Sequence, residues 1–397
     1  MSPSHHILIY AELLSNIRQI SVGCTLPTPA SETTQASITP NGSALSVIHD
    51  GICQTLQLPG SVALSSQLPI NGLKVSSLSW RLPLAPRLTG PALSVSDDSV
   101  PWSATDLEPG SAVVCKSCKS IVVDAGTLRI WKDLPSENWA EMMEFWHCHK
   151  PSNLKHGHDD EHLTNRGYGA SSRIAAQPGV GFVDLTSFLL YYSDVLEPSV
   201  SASGGTDKAT NEVTALCCTT CRTQLGVRND QASSISLFKW QVLVKEQDWA
   251  IAKPSPSLVQ CVSAMLLATV ARSGCSKSIL VPMETQGRLA PKSSKSKDAD
   301  QSQDLLNVWV FNANITFSST EAPRSPVSAV KVFYRMVSQE AAEQLLESVV
   351  SDHEDILLPA EAIRTIIELL NKSNSFVPES DRRFKEWTVG LLDKWGG

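Results

Sequence analysis

Residues 111–123 read SAVVCKSCKSIVV, and residues 217–227 read CCTTCRTQLGV. Each stretch holds a C-x-x-C turn, Cys115 to Cys118 and Cys218 to Cys221, followed by a cation and then apolar residues. Zinc prefers four tetrahedral thiolates, and a two-residue spacer lets both sulfurs of one turn converge on one ion. The likeness of the two segments predicts the halves of a split zinc-ribbon-like knuckle pair around a structural zinc, with ~100 residues inserted between them. A pair of buried free-thiol turns and a redox dithiol are the competing readings of the same spacing. Cys217 competes with Cys218 as the ligand, but its spacing to Cys221 is poorer. Cys24, Cys53, Cys261 and Cys275 stand alone and read as ordinary core residues.

Outward from the knuckles, the composition favours strands. Ser, Thr, Pro and Gly are plentiful and strong helix formers are thin. Before the first knuckle, short apolar runs (ILIYAEL, ALSVIHD, GICQTLQL, LKVSSLSWRL) recur between Pro, Gly and Asn-Gly signals, with alternation at Leu78, Trp80 and Leu82. That pattern predicts a β-sandwich or a curled sheet. Residues 25–40 read as a polar linker or surface loop. Between the knuckles, 138–146 has the spacing of a short helix, and GFVDLTSFLLYYSDV (181–195) reads as strand then helix. After the second knuckle, SISLFKWQVLV (234–244) reads as one strong strand, and LVQCVSAMLLATVA (258–271) as a buried helix too short to span a bilayer. Residues 288–304 form a low-complexity polar linker. LNVWVFNANITFSS (306–319) and AVKVFYRMV (329–337) predict an antiparallel pair. The remainder reads as helical: a helix N-capped by Ser338, then AEAIRTIIELLNK, then RRFKEWTVGLLDKW. The expected fold class is α+β, mainly β. Its expected domains are a β-rich region with the knuckles over 1–230 and an α+β carboxyl-terminal region over 231–397.

The 397 residues carry a net charge of −7. No dense Lys/Arg stripe exists to neutralise phosphates, so direct nucleic-acid binding is not expected, and a protein partner is. The amino terminus lacks a basic n-region and its apolar run stops at Glu12, so neither a signal peptide nor a membrane anchor is expected. Ten cysteines in such a chain predict a reducing compartment, the cytoplasm and/or the nucleus.

One segment lies apart from the knuckles. Residues 144–151 read EFWHCHKP, placing Cys148 between His147 and His149 behind Trp146. Imidazoles on both sides of a thiol lower its pKa. Cys148 therefore reads as a catalytic thiol, as a ligand to a metal here or in another protein, or as a small buried hydrophobe. No G-x-S-x-G, P-loop, G-x-G-x-x-G or H-E-x-x-H occurs, which removes the usual hydrolase, nucleotide and metalloprotease readings.

Taken in order, the two knuckles, WHCHKP, FKWQVLV and the VWVFNANITFSS…AVKVFYR block resemble one family over nearly the whole chain. It is the HECT-like ubiquitin-protein ligases first described as ubiquitin-conjugating-enzyme-binding proteins, in a fungal-looking version. The resemblance implies that the chain binds a ubiquitin-conjugating enzyme, accepts ubiquitin and passes it to lysines of protein substrates. It also implies a link to the endonuclease of pre-mRNA cleavage and polyadenylation. In that role Trp146, His147, Cys148 and His149 would form a partner-binding plug for the nuclease's metal centre, making the protein a non-enzymatic chaperone or inhibitor. A HECT ligase carries its thioester cysteine near the carboxyl terminus, whereas no cysteine follows Cys275 here. A thioester relay needs a nucleophilic sulfur, and Cys148 is the leading candidate for it.

Overall fold

The computed structural model describes residues 6–63, 67–70, 74–86, 100–134, 175–197, 200–203, 213–245, 254–283, 304–323, 326–348 and 352–396. The chain divides into two compact units, one made from residues 1–99 with 266–397 and the other from residues 100–265. The sequence division at 230/231 follows chain order, whereas the first unit is assembled from both ends of the chain. Strands dominate both units, so the fold is mainly β with α-helices added.

The first unit is built on a nine-stranded mixed sheet. Its path runs Arg383–Phe384, Trp387–Asp393, Val327–Val337, Leu305–Ser319, Leu8–Leu14, Gln19–Thr25 and Ser77–Pro83. The 15-residue strand Leu305–Ser319 serves two neighbours on one side. Near its start it pairs with Lys277–Pro282, and near its end with Leu8–Leu14. Lys277–Pro282 in turn pairs in parallel with His353–Leu358. A second sheet of Ile52–Gln57, Ala44–His49, Gln35–Ile38 and Gln67–Leu68 covers the amino-terminal strands. Ile9, Ala11, Ile20, Val22, Leu78, Trp80 and Leu82 from the large sheet share one core with Leu45, Val47 and Leu56. Period-2 alternation puts these residues on one face, so burial of that face defines the register.

Three α-helices occur among the described residues. Leu258–Ser273 buries Cys261, Val262 and Leu266, as its apolar run predicts. Gln339–Glu347 starts at Ser338, whose side chain accepts from the amide of Ala341. It packs Ala342, Leu345 and Leu346 on Ile279, Val281 and Leu305. Ala360–Asn374 lies on the opposite sheet face, where Tyr334 Oη donates to Asn371 Oδ1 at 2.8 Å.

The second unit holds a seven-stranded sheet in the order Ile130–Asp133, Val180–Val183, Ser187–Tyr191, Ser234–Phe238, Gln224–Asn229, Val213–Cys218 and Val200–Ser203. A three-stranded sheet follows the order Val242–Lys245, Ala112–Cys115, Ile121–Val123. Trp102 and Trp131 pack on Phe188, with ring centroids 5.9 and 5.1 Å away.

Several local expectations are corrected. RRFKEWTVGLLDKW is not helical: it forms Arg383–Phe384 and Trp387–Asp393, because Trp387, Val389 and Leu391 alternate into a core under central strand pairing. Residues 187–191 form a strand, not a helix, antiparallel to Val180–Val183 and closed by the Asp184 amide donating to the Ser187 carbonyl. SISLFKWQVLV is two strands in two sheets, broken by a 3₁₀ turn at Lys239–Gln241. Lys239 is fully buried there and its Nζ donates to the carbonyls of Pro101 and Trp102. Those bonds satisfy the amine only if the chain turns at that point. Residues 35–38, expected in a loop, are a strand whose Ala36 and Ile38 are buried. The predicted helix at 138–146 and all but Asp304 of the linker predicted over 288–304 lie outside the described residues.

Candidate metal centre

Each C-x-x-C is the turn of a β-hairpin. Cys115 ends Ala112–Cys115, which the turn connects to Ile121–Val123. Cys218 ends Val213–Cys218, which its turn connects to Gln224–Asn229. The two turns correspond position by position. The Lys119 amide donates to the Cys115 carbonyl and the Arg222 amide to the Cys218 carbonyl, both at 2.9 Å. The Cys115 amide donates to Ser120 and the Cys218 amide to Thr223, again at 2.9 Å. Lys119 and Arg222 both take a left-handed backbone, φ 65 and 64. That conformation reverses the chain so that both cysteines of a turn face the same point.

The turns belong to different sheets, and the fold brings them face to face. All four sulfurs lie within 4.8 Å of one another. Cys115 Sγ is 3.6 Å from Cys221 Sγ, and Cys118 Sγ is 3.6 Å from Cys218 Sγ. A disulfide would need about 2.05 Å. Four thiolates around zinc at about 2.3 Å each are spaced about 3.8 Å apart along the edges of the tetrahedron. The observed separations fit the second geometry. Hydroxyls repeat the correspondence: Ser120 Oγ lies 3.2 Å from Cys118 Sγ, and Thr223 Oγ1 lies 3.3 Å from Cys221 Sγ. Ser120 also donates to Thr220 across the gap, and Thr223 to Ser117.

The electrostatics separate the outer from the inner sulfurs. Hydrogen bonding with the Ser120 hydroxyl and with its amide brings the Cys118 thiol down to about 6. The Thr223 hydroxyl and amide likewise lower Cys221. Burial pushes Cys115 up to about 12, opposed by the amides of Cys118 and Ser117. A divalent cation supplies the charge that lets a buried thiol ionise. Donor set, spacing and amide-to-sulfur bonds therefore suit a closed Cys₄ site, which could hold a metal ion with no open position for substrate.

Cys217, the competing ligand, stays outside this cluster, since adjacent strand residues point to opposite sides. Among the lone cysteines, Cys24 and Cys261 are buried, but Cys53 is exposed and Cys275 half-buried. Ile52–Gln57 lies at the edge of its four-stranded sheet, with Cys53 on the side away from the core. Trp240, Val242 and Val244 are buried, so FKWQVLV contributes to the core. Trp146, His147, Cys148 and His149 lie outside the described residues. Sequence reasoning missed the buried Lys239, whose only signal was a lysine between Phe238 and Trp240, rings stacked at 4.6 Å. Among the described residues no helix is long and apolar enough to cross a membrane.

Comparison with known proteins places this architecture. Residues 12–389 match the family described as HECT-like ubiquitin-conjugating enzyme (E2)-binding. An uncharacterised protein of Schizosaccharomyces pombe is 28% identical over 354 residues, covering 86% of this chain and 90% of its own. An E3 ubiquitin-protein ligase of Homo sapiens is 24% identical over 355 residues, 86% of each chain. The ligase of the same name from Pongo abelii is 23% identical over 354 residues, again 86% of each. No solved structure matches. With the match running through both units and both cysteine turns, the chain belongs to the HECT-like ubiquitin-conjugating enzyme (E2)-binding family.

Proposed function

We propose that this protein is a ubiquitin-protein ligase of the E3 type, acting in the cytoplasm and/or nucleus. It binds a ubiquitin-conjugating enzyme charged with ubiquitin and promotes transfer to lysines of protein substrates. The observation that carries this reading is the family match across residues 12–389, joined by two relatives named as E3 ubiquitin-protein ligases. Cys115, Cys118, Cys218 and Cys221 hold a structural zinc that cross-links the two sheets of residues 100–265 and takes no part in the transfer.

In a relay, the sulfur of Cys148 attacks the ubiquitin thioester carbonyl and releases the conjugating enzyme's thiol. A substrate lysine amine then displaces Cys148, leaving an isopeptide bond and a free thiol. The four knuckle sulfurs would be taken up by the proposed metal, and Cys24 and Cys261 are buried. Burial pushes both of those thiols up to about 12, which leaves them unreactive at neutral pH.

The test charges a conjugating enzyme with ubiquitin, adds this protein, and looks for a reductant-sensitive adduct that disappears in Cys148→Ala. Substrate ubiquitination with no adduct would keep the ligase reading and reject the relay; no stimulation of transfer with any charged enzyme would reject both.

One observation favours a second reading: no cysteine follows Cys275, so the carboxyl-terminal region has no thiol to carry ubiquitin. In this reading Trp146, His147, Cys148 and His149 cap the metal centre of the pre-mRNA 3′-end-processing endonuclease. Thiolate on zinc beside a large aromatic is a favourable plug. Tight, Cys148-dependent binding to that nuclease without stimulation of ubiquitin transfer would favour it over the ligase.

A further inference from the structure

An aromatic strip crosses one face of the nine-stranded sheet in the first unit. Trp309, Phe333 and Trp387 come from adjacent strands and occupy one face, because Trp309 pairs with Phe333 and Phe333 with Val389. Phe311 and Phe384 extend the strip at its two ends. Phe311 stacks on Phe333 at 4.5 Å, and Phe333 stacks on Phe384 at 5.2 Å. Trp309 meets Phe333 and Trp387 edge-on at 5.2 and 5.8 Å. Phe333 and Trp387 are buried, yet Phe311 is 55% exposed and Phe384 45% exposed.

Two local devices hold these rings outward. Val310 pairs with Val332 and Asn312 with Lys331, so Phe311 is the extra residue of a β-bulge. Bulges re-aim side chains, and they do so most often beside functional sites. Phe384 sits on the two-residue edge strand Arg383–Phe384, followed by Lys385 at φ 54. Stacking on Phe333 fixes both exposed rings before any partner arrives, which lowers the ordering cost of binding. Isolated exposed apolar residues are ordinary, but a contiguous rigid aromatic strip marks an interaction surface.

The charges beside the strip define the partner. Arg335 lies over Trp387 and Lys277 over Trp309, and each is already paired with a carboxylate, Glu386 and Asp352. Arg383 and Lys385 flank Phe384 at the sheet edge, are exposed, and have no carboxylate partner among the described residues. Lys385 Nζ lies over the Phe384 ring at 5.7 Å, whereas Arg383, paired with Thr388, is on the other face of the edge strand and acts on the strip only through its longer-range field. In a chain of net charge −7, two edge cations without carboxylate partners among the described residues, one of them over an exposed ring, fit a surface that offers an apolar anchor ringed by carboxylates. Single-stranded nucleic acid also stacks on rings, but tracking its backbone needs more free cations than these two.

We propose that the Phe311–Phe333–Phe384 strip, with Arg383 and Lys385, is the docking surface for the ubiquitin-conjugating enzyme, which presents an aliphatic or aromatic side chain beside acidic residues. This rests on the E2-binding reading above. Phe311 and Phe384 supply the buried contact, and the two cations steer and orient the encounter.

The test titrates a panel of purified ubiquitin-conjugating enzymes against the full chain and takes the tightest binder as probe. Phe311→Ser and Phe384→Ala should each weaken that binding roughly tenfold or more. Arg383→Glu with Lys385→Glu should slow association and invert its salt dependence. Circular dichroism and zinc content should stay at wild-type values in all three proteins. Wild-type binding that persists undiminished in the ring variants would overturn this docking surface and leave the ligase reading intact. A wild-type protein that binds none of the enzymes would overturn both. A labelled oligouridine bound through Phe311 and Phe384, with conjugating-enzyme binding unaffected by their loss, would assign the strip to RNA instead.

Discussion

Replacing Cys221 by Ser tests the metal centre most directly. A serine hydroxyl does not ionise at neutral pH, so one of four thiolates is lost, together with its hydrogen bonding to Thr223. A structural Cys₄ zinc contributes on the order of 10 kcal/mol to folding. Part of that would be chain entropy: an ion held by the four sulfurs would tie the turn at Cys118 to the turn at Cys218, and closing a loop of ~100 residues is worth about 4–5 kcal/mol. Net domain stability is only about 5–15 kcal/mol, so loss of such an ion is expected to remove most of what holds residues 100–265 together. Because the two turns correspond position by position, Cys118→Ser should cost about as much as Cys221→Ser. Cys217→Ser should retain the metal, since Cys217 lies outside the cluster. Zinc per chain measured by atomic emission, with thermal melts before and after chelator, reads all of this. Wild-type protein should carry about one zinc and lose its cooperative melt with chelator. A full equivalent of zinc in both Cys118→Ser and Cys221→Ser, or loss of zinc in Cys217→Ser alone, would refute the ligand assignment.

Three further outcomes follow from buried groups. Burial brings the Lys239 ammonium from its ordinary 10.5 down to about 8, so holding it charged in the fold costs about 3 kcal/mol. Between pH 8 and 10.5 the unfolded amine binds a proton that the folded one has released. Stability should therefore rise with pH there by about 3 kcal/mol relative to Lys239→Met, and parallel urea-unfolding profiles for the two proteins would contradict this. Gly226→Ala would place a Cβ 2.0 Å from the Ser236 carbonyl oxygen, inside a paired ladder that cannot yield. It should cost about 3 kcal/mol or more, read as a lower urea midpoint, and an unchanged midpoint would sink the argument. Glu12 is buried, accepts from Tyr10 Oη at 2.8 Å and pairs with Lys331 at 2.8 Å. Glu12→Gln leaves Lys331 without its countercharge and should cost about 3 kcal/mol, with much of it recovered in the double variant carrying Lys331→Met. A double variant no more stable than the single one would show that the pair is not coupled.

Local pattern was a sound guide where one interaction dominated. Leu78, Trp80 and Leu82 alternate because one sheet face is buried, and the structure buries all three. The helix after Ser338 begins where its hydroxyl caps the first turn. The pattern misled where two forces competed. Trp387–Asp393 comes after the helix Ala360–Asn374 and carries two leucines, yet its pairing with Val327–Val337 and burial of Trp387, Val389 and Leu391 outweigh helix propensity. At Lys239 the run from Ser234 to Val244 looks continuous, and only the carbonyls of Pro101 and Trp102, 137 to 138 residues away, explain the turn.

The same division applies to function. Two C-x-x-C turns with like flanks are written in the sequence, since a two-residue spacer and its hydrogen bonds are local geometry. The family, too, is legible along the chain, because it resides in the order of motifs. That Cys218 rather than Cys217 joins the cluster depends on which side of its strand each sulfur faces once two separate sheets have met. The aromatic strip is likewise absent from the sequence as a unit: Trp309, Phe311, Phe333, Phe384 and Trp387 are scattered over the last third of the chain. Side-chain chemistry and short-range spacing are properties of the sequence by itself. Convergence of distant side chains, and the choice of which rings remain in water, belong to the tertiary structure, because only strand register and packing decide what faces what.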